Sequence, residues 1–562
     1  LKRLNKRRGV AVIDAETDPF KFGRIPRPFV WGFYDGETYL QFDTPDELIE
    51  FLSKRRLIVY AHNGGRFDYH FLFEFIDFGE EVTVINGRVA KFKIGECEFR
   101  DSWNLLPVPL AEMQKDEIDY KIMERDERDK PENRAKIDDY LHSDCVYLWN
   151  WVNAFIDQYG LKLTIATTAL NFWSKQTGMK PPQDNGGELY TELRPYYHGG
   201  RTQAFEFGEI KEDFQLVDIK SAYPYAMMSE HPIGLSRFYG EGATEWRALP
   251  LAQRRTALMT VYGVSRGALP FRTKQRLDYP DDSLTGESRE FHITGWEYIA
   301  AYETGTFKGR VRDFVYFDVL TNFTDYVMHF YNMKKASAKG SPEYKFAKLF
   351  MNALYGKFAA NPSEYRDYLV GWWGMLDGNG DAHKCEIKSG QMVDDEWSFN
   401  CEFGEDGESI LISRPQPEDK QKFYNLATSA SITGFVRAYL WRAICQCGGV
   451  LYCDTDSIAA RDVSSLTYGS ELGEWDNEGI FDYAAIGGRK LYAFHYKGKP
   501  RAFSFEKKIL KNWKLATKGV KLEPKSVIKV ARGEVVAYQP MAPTFSIHKG
   551  PHFIPRNVRM TR

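Results

Sequence analysis

Two carboxylates one residue apart, Asp454 and Asp456, lie within Tyr452-Cys453-Asp454-Thr455-Asp456-Ser457, between the apolar runs Gly449-Val450-Leu451-Tyr452 and Ile458-Ala459-Ala460. Two strand-like runs joined by a short polar turn predict a hairpin with its acids at the tip. Acids crowded there repel each other unless a multivalent cation sits between them. A third acid, Asp218, closes the strand-like run Phe214-Gln215-Leu216-Val217, far away in sequence. Asp218 with Asp456 is the ligand set that a two-metal phosphoryl-transfer site requires: two hard cations roughly 3.5–4 Å apart, held by oxygens. The fold must therefore bring two distant segments side by side.

A second acidic constellation lies near the N-terminus: Asp14-Ala15-Glu16, then Asn63-Gly64-Gly65-Arg66-Phe67-Asp68, then Tyr140-Leu141-His142-Ser143-Asp144. Asp14 and Glu16 share one face of a strand. Tyr140 and Asp144 share one face of a helix. Asp14, Glu16, Asp68 and Asp144 form a cage for two Mg²⁺ or Mn²⁺ ions, with the phenol of Tyr140 orienting the attacking water. Each piece alone is common among surface acids; their combination carries the reading.

Further segments suit a polyanionic ligand. Asp218-Ile219-Lys220-Ser221-Ala222-Tyr223-Pro224 runs from a strand end into a helix start, where backbone N–H groups can cradle a triphosphate. Tyr223 is placed to wall off a sugar 2′ position, although an ordinary helix start reads the same way. Lys348, Asn352 and Tyr355 predict one helical face ending at Gly356, with the lysine toward a transferring phosphate and Tyr355 near a base. Amphipathic packing is the competing reading of that face. Lys490 and Tyr492 fall on one side of a predicted strand, suited to a primer phosphate. Tyr197-His198-Gly199-Gly200 offers a close-approach glycine turn beside an aromatic ring, suited to a single-stranded template.

The chain has 562 residues, 43% hydrophobic and 15% aromatic, which fits a large modular globular protein. No run approaches the ~18 apolar residues of a membrane span, and Leu1-Lys2-Arg3-Leu4 begins no signal-peptide core. Starting at Leu rather than Met, the chain reads as trimmed or incomplete. Seven cysteines are scattered, and Cys445-Gln446-Cys447 lacks zinc-ligand spacing, which predicts a reducing, cytoplasmic setting. The net charge of −2 conceals an asymmetry: Arg489 to Arg562 holds 18 Lys+Arg against 3 Asp+Glu, or +15, leaving −17 for the remainder. That basic tail is interleaved with Tyr492, Phe494, Tyr496, Phe503, Phe505 and Trp513, a composition that grips polyanions, with a solvated lysine-rich face as the rival reading.

Along the chain, strands are expected at 9–15, 29–42, 57–61 and 82–100, the last around the hairpin signal Asn86-Gly87, with a helix-like stretch at 67–78 and a long helix at 133–156. Pro181-Pro182 and Asn185-Gly186-Gly187 mark a linker. Helices are expected at 322–339, 342–360 and 422–447, and an inserted hairpin or small sheet at 361–418.

Taken together, these residues resemble the family B DNA polymerases, and within them the protein-primed subgroup typified by small tailed bacteriophages with linear genomes. Asp14-Xaa-Glu16, Asn63…Phe67-Asp68 and Tyr140-Xaa3-Asp144 are similar to the three exonuclease motifs. Asp218…Tyr223-Pro224, Lys348…Asn352…Tyr355-Gly356 and Tyr452…Asp454-Thr-Asp456 are similar to polymerase motifs A, B and C. Lys490-Leu-Tyr492 and Tyr197-Xaa-Gly199-Gly200 resemble the primer-binding and the domain-linking motifs. The resemblance implies that Lys115 is an exonuclease lysine, that Thr17, His62, Phe67, Ser102 and Trp103 hold a frayed primer strand, and that Lys334 contacts incoming nucleotide. It further implies Asp218 and Asp456 as main metal ligands, with the carbonyl of Ile219 helping and Asp454 supporting.

The expected fold is α+β, mixed α/β: an RNase H-like 3′→5′ exonuclease domain at 1–160, linker and start of the polymerase domain at 161–212, and palm at 213–244. A first insertion follows at 245–320 (terminal-protein-contacting), then fingers at 321–360, a second insertion at 361–421 (processivity and strand displacement), palm again at 422–495, and a basic thumb at 496–562. The expected activity is template-directed DNA synthesis with intrinsic proofreading, started on a terminal protein, in a monomer or a heterodimer with that protein. Expected partners are primer and template DNA and dNTPs, with two Mg²⁺ or Mn²⁺ per active site, no membrane, and the host cytoplasm as location. Two rivals remain: a conventional nucleic-acid-primed family B polymerase, and a catalytically silent nucleic-acid-binding protein.

Overall fold

The structure, a computed structural model, describes residues 8–113, 116–274, 276–373, 388–393, 395–403, 407, 409–498 and 512–561. Lys115, Phe503 and Phe505 lie outside the described residues.

The apolar alternation of the first hundred residues builds a sheet around Gly9–Thr17, which pairs in parallel with Leu57–Ala61 and antiparallel with Pro28–Tyr34. Leu57–Ala61 pairs in turn with Cys97–Asp101, reached through the Glu81–Ile85 and Arg88–Ile94 hairpin at Asn86-Gly87. Asn86 and Gly87 both take positive φ, as a tight two-residue turn demands. The long helix Pro131–Tyr159 lies across this sheet. It comes close because Gly32 has no side chain: a Cβ there would meet Cys145 Sγ at 2.9 Å.

The sheet does not stop at the N-terminal unit. Arg366–Trp372, Ser409–Pro415 and Ser398–Phe403 extend it beyond Glu81–Ile85 to ten strands, with Tyr368 opposite Val82 and Leu369 opposite Glu81. The segment expected as an inserted small sheet is thus joined by main-chain hydrogen bonds to the N-terminal unit. Val370 and Leu411 bury into the same apolar cluster as Val59, Phe92 and Phe99.

A second, eight-stranded sheet carries Asp218, Asp454 and Asp456 or their turn. Its order is Trp513–Thr517, Leu491–Tyr496, Trp475–Gly488, Phe214–Ile219, Ser457–Asp462, Gly448–Asp454 and Thr202–Ala204, with Gly208–Ile210 paired to Trp475–Gly488. Helices Leu426–Gln446 and Ala222–Met227 pack together at this sheet, the longer one N-capped by Asn425. Residues 238–316 form a four-stranded sheet of their own, and Thr324–Ala336 with Pro342–Ala353 makes an antiparallel helix pair. That pair is closed by Tyr326 Oη donating to the Phe350 carbonyl at 2.7 Å and by stacked Phe330 and Phe350. At the C-terminal end, the hairpin of Thr544–Ser546 and Gly550–His552 returns to the N-terminal unit, where Phe545 packs on Phe67, His70 and Phe71.

Three local expectations change. Residues 67–78 form 3-10 turns, Asp68–Phe71 and Phe73–Phe75, rather than an α-helix. Their aromatic rings pack to two sides, Tyr69 into the sheet and Phe71 toward the C-terminal hairpin, which one helical stripe cannot satisfy. The helix holding Lys348 and Asn352 ends at Ala353, and Tyr355 opens a separate turn, Tyr355–Phe358, so Gly356 is not its cap. Tyr355 is turned by its own contacts: its ring stacks on Tyr223, and its carbonyl accepts from Ser429 Oγ. Lys490 precedes its strand, Leu491–Tyr496, in a left-handed turn with φ 53°, so it does not share a strand face with Tyr492.

Candidate active sites

Asp218 is the penultimate residue of Phe214–Ile219, and register places it beside Ser457 on one side and Asp476 on the other. The next residue, Ile219, donates its N–H to the carbonyl of Asp456 at 2.8 Å. The two acidic segments predicted from sequence therefore meet. Thr455, between the two hairpin acids, takes φ 61° and donates its N–H to the Arg201 carbonyl at 2.6 Å.

The acids are not equivalent. Asp454 Oδ1 accepts from Thr202 Oγ1 at 2.8 Å and Thr455 Oγ1 at 3.1 Å, and lies 3.4 Å from Lys490 Nζ. Asp218, by contrast, is pushed up to about 8 by burial, by the charge of Asp456 and by Glu478. Asp456 rises to about 6 through burial and the neighbouring charge of Asp454. Two half-buried carboxylates whose proton affinity is raised by burial and neighbouring acids form an all-oxygen donor set, which suits a hard divalent cation.

Around them, Tyr223 and Tyr355 stack with centroids 4.7 Å apart and planes 7° apart. Burial and the charge of Lys348 lower the pKa of Lys334. Asn352 Nδ2 donates to the Lys348 carbonyl at 2.8 Å and is exposed. Ile219 is buried, and its placement leaves the main chain as the contact it can offer. Gly199 has open space where a side chain would be, while a Cβ on Gly200 would meet Thr455 at 2.8 Å. Tyr492 packs on Tyr452 and Phe494, and the Tyr452 phenol accepts the N–H of Lys490 at 2.8 Å.

In the N-terminal unit, Asp14, Glu16 and Asp144 bring carboxylate oxygens within 4.8 Å of one another, a group able to hold a metal ion. Asp68 is buried but falls outside that group. Tyr140, one turn before Asp144, has its pKa raised by burial, the Asp144 charge and Tyr120, so its phenol keeps its proton; the two phenol oxygens are 3.1 Å apart. His62 Nδ1 lies 3.0 Å from Ser102 Oγ, its Nε2 lies 2.9 Å from the Val108 carbonyl, and its ring leans on Trp103. Thr17 is buried at the strand end, and Phe67 stands edge-on between Phe20, Phe71 and Phe545.

Residues without a sequence signal hold both sites in shape. Buried Asp101 pairs with Arg88 at 2.9 Å and accepts from the N–H groups of Gly65 and Trp103, while Arg88 also donates to Asn63. Buried Arg437 pairs with Glu297 at 2.8 Å and donates to the carbonyls of His198 and Gly199. Helix Leu426–Gln446 reads as apolar packing, so only the long-range contact reveals Arg437.

Residues 111–403 match the family of DNA polymerases type B, organellar and viral. The chain is 35% identical over 582 residues to the DNA-directed DNA polymerase of Enterobacteria phage PRD1, covering 98% of each. It is 25% identical over 397 residues to a probable DNA polymerase of Agaricus bitorquis, covering 56% of this chain and 46% of that one. Among solved structures, phi29 DNA polymerase complexed with primer-template DNA superposes with a TM-score of 0.72 at 19% identity, over 98% of this chain and 100% of that one. The phi29 complex that also holds incoming nucleotide gives 0.70 at 19% identity, over 99% and 100%. These structural likenesses are of fold.

Proposed function

This chain belongs to the organellar and viral type B DNA polymerases, and from that premise we propose how its two acidic sites divide synthesis and proofreading. Asp218 and Asp456, with the Ile219 carbonyl, hold the divalent cations of synthesis, and Asp454 supports from behind. When bound, such cations lower the pKa of the attacking 3′-hydroxyl and offset charge on the phosphates. Lys334 and Lys348 neutralise the triphosphate of the incoming dNTP. Tyr355 carries the base, and Tyr223 closes the space a 2′-hydroxyl would need. Tyr197, Gly199 and Gly200 grip the template, and Lys490 with Tyr492 grips the primer end.

The N-terminal unit removes misinserted nucleotides. Asp14, Glu16 and Asp144, with Asp68 nearby, hold its cations, preferably Mg²⁺ with Mn²⁺ as substitute. Tyr140, protonated, orients the attacking water. Thr17, His62, Asn63, Phe67, Ser102 and Trp103 hold the frayed strand, and Lys115 assists. The insertions at 245–320 and 361–421 support initiation on a terminal protein and passage along DNA with strand displacement.

The observation that carries this reading is the hydrogen bond from Ile219 to Asp456, which joins the two acidic segments at one strand end. Asp456→Ala abolishes dNTP incorporation and keeps 3′→5′ degradation, whereas Asp14→Ala with Asp68→Ala does the reverse. Incorporation by the first variant, measured on a primed template, would overturn the division. Transfer of a single labelled dNTP onto a protein hydroxyl tests the priming mode, and its failure with elongation intact favours nucleic-acid primers.

A further inference from the structure

Near Tyr197, a cavity of about 1300 Å³ opens between the linker, the first insertion and the base of the second. Two arginines from different parts of the chain converge on its wall. Arg194 Nη1 donates to the Tyr197 carbonyl at 3.1 Å, and Arg272 Nη2 approaches the same carbonyl and His198 Nδ1 at 3.4 Å. Among the described residues neither has a carboxylate within 4.0 Å, unlike their neighbour Arg289, which is held by Asp282 and Glu287. Burial and the charges of Arg194 and Arg437 lower the pKa of Arg272.

The arginine from the first insertion is held in place. Arg272 lies on a short hairpin, opposite Leu277, with Phe271 opposite Asp278. Arg489, next to Lys490, clamps that hairpin through Asp278 Oδ1 at 2.6 Å and the Leu277 carbonyl. Tyr279 follows and stacks on the buried guanidinium of Arg201 at 4.1 Å. Arg201 is the residue whose carbonyl fixes Thr455 between the hairpin acids. The Tyr197 carbonyl lies within three residues of chain, at most about 11 Å, of Gly200, and Gly200 abuts Thr455 in that turn.

We propose that Arg194 and Arg272 form a phosphate clamp for the template strand, gripping a backbone phosphodiester within about two nucleotides of the templating base. Two guanidiniums side by side, without a carboxylate partner among the described residues, suit a phosphodiester, which offers two charged oxygens to bidentate donors. The half-buried ring of Phe271 at the same cavity gives a neighbouring base a surface. The clamp rests on the template role proposed for Tyr197–Gly200.

The test uses the full chain and a primed template. Arg272→Gln and Arg194→Gln each lower affinity about 3–10-fold irrespective of sequence and make the log affinity against log salt slope shallower by about one. A single methylphosphonate in the template strand near the templating base costs the wild type a similar factor, and costs Arg272→Gln nothing further. Degradation of a single-stranded oligonucleotide stays at wild-type rate, which shows the variants are folded. Unchanged DNA affinity overturns the clamp, as does a shared loss at a primer-strand phosphate, or a defect confined to initiation on a protein. If Tyr197→Ala also binds template normally, the underlying template role fails with it; if Tyr197→Ala alone weakens binding, only the clamp is lost.

Discussion

Replacing Arg437 with Met reverses how stability responds to pH. In the native chain burial pushes the Glu297 carboxyl up, but the charge and hydrogen bond of Arg437 pull it further down, so its folded pKa lies below its unfolded one. Such a group contributes stability that is present above the unfolded pKa and is lost as pH falls through the folded value. Both side chains are almost fully enclosed, at 2% and 3% exposure, so little water can take over for the missing partner. Removing one member of a buried pair costs about 3–5 kcal/mol. With Met at 437, burial outweighs the remaining hydrogen bonds from Thr294 to Glu297, and its folded pKa rises above the unfolded value. Stability is then lost as pH rises, and each unit of pH below the raised pKa recovers about 1.4 kcal/mol. Urea unfolding followed by tryptophan fluorescence reads this directly: the variant's deficit at about pH 8 exceeds that at about pH 5.5 by roughly 1–3 kcal/mol. Adding Glu297→Gln removes the difference. An equal deficit at both pH values would refute the reasoning, since it would mean that Glu297 carries no uncompensated charge.

Asp218 and Asp456 give a second pH response. Their folded values of about 8 and about 6 lie above the ordinary carboxyl range, so without cations these acids contribute stability that fades as pH rises through that window. Divalent cations compete with those protons; calorimetric titration of Mg²⁺ into Asp14→Ala with Asp68→Ala, which isolates the second site, shows affinity rising between pH 6 and 8, and a flat profile contradicts it. Gly200→Ala sets a methyl 2.8 Å from Thr455 Cγ2. Overpacking of that kind costs about 1–3 kcal/mol, so dNTP incorporation falls about tenfold or more while single-strand degradation is unchanged, and a variant that synthesises normally contradicts the contact.

The acids were legible because their chemistry leaves a pattern at short range. Asp454 and Asp456 announce a hairpin tip, Asp14 and Glu16 a strand face, and Tyr140 and Asp144 a helix face. The meeting of Asp218 with Asp456 follows from charge requirements alone. Arg437, Glu297, Arg88 and Asp101 left no such pattern, because each acts across a fold that must already exist: Arg437 and Glu297 are 140 positions apart. The sequence marks Tyr355 and Lys490 by residue type but not by local conformation. Helical periodicity cannot show that a stacking partner, Tyr223, turns Tyr355 out of line, nor can strand alternation show that Lys490 takes positive φ. The segment at 366–415 reads as a small sheet, yet nothing in its residues names Glu81–Ile85 as the neighbour it joins.

That junction limits how the molecule can be dissected. A fragment ending at residue 160 would strip Arg366–Trp372 from Glu81–Ile85 and leave a row of bare amide and carbonyl groups facing water. Two such fragments could zip together along that border, so the isolated N-terminal piece is prone to self-association unless the 366–415 segment is grafted back or the border is blocked by a charge or a proline.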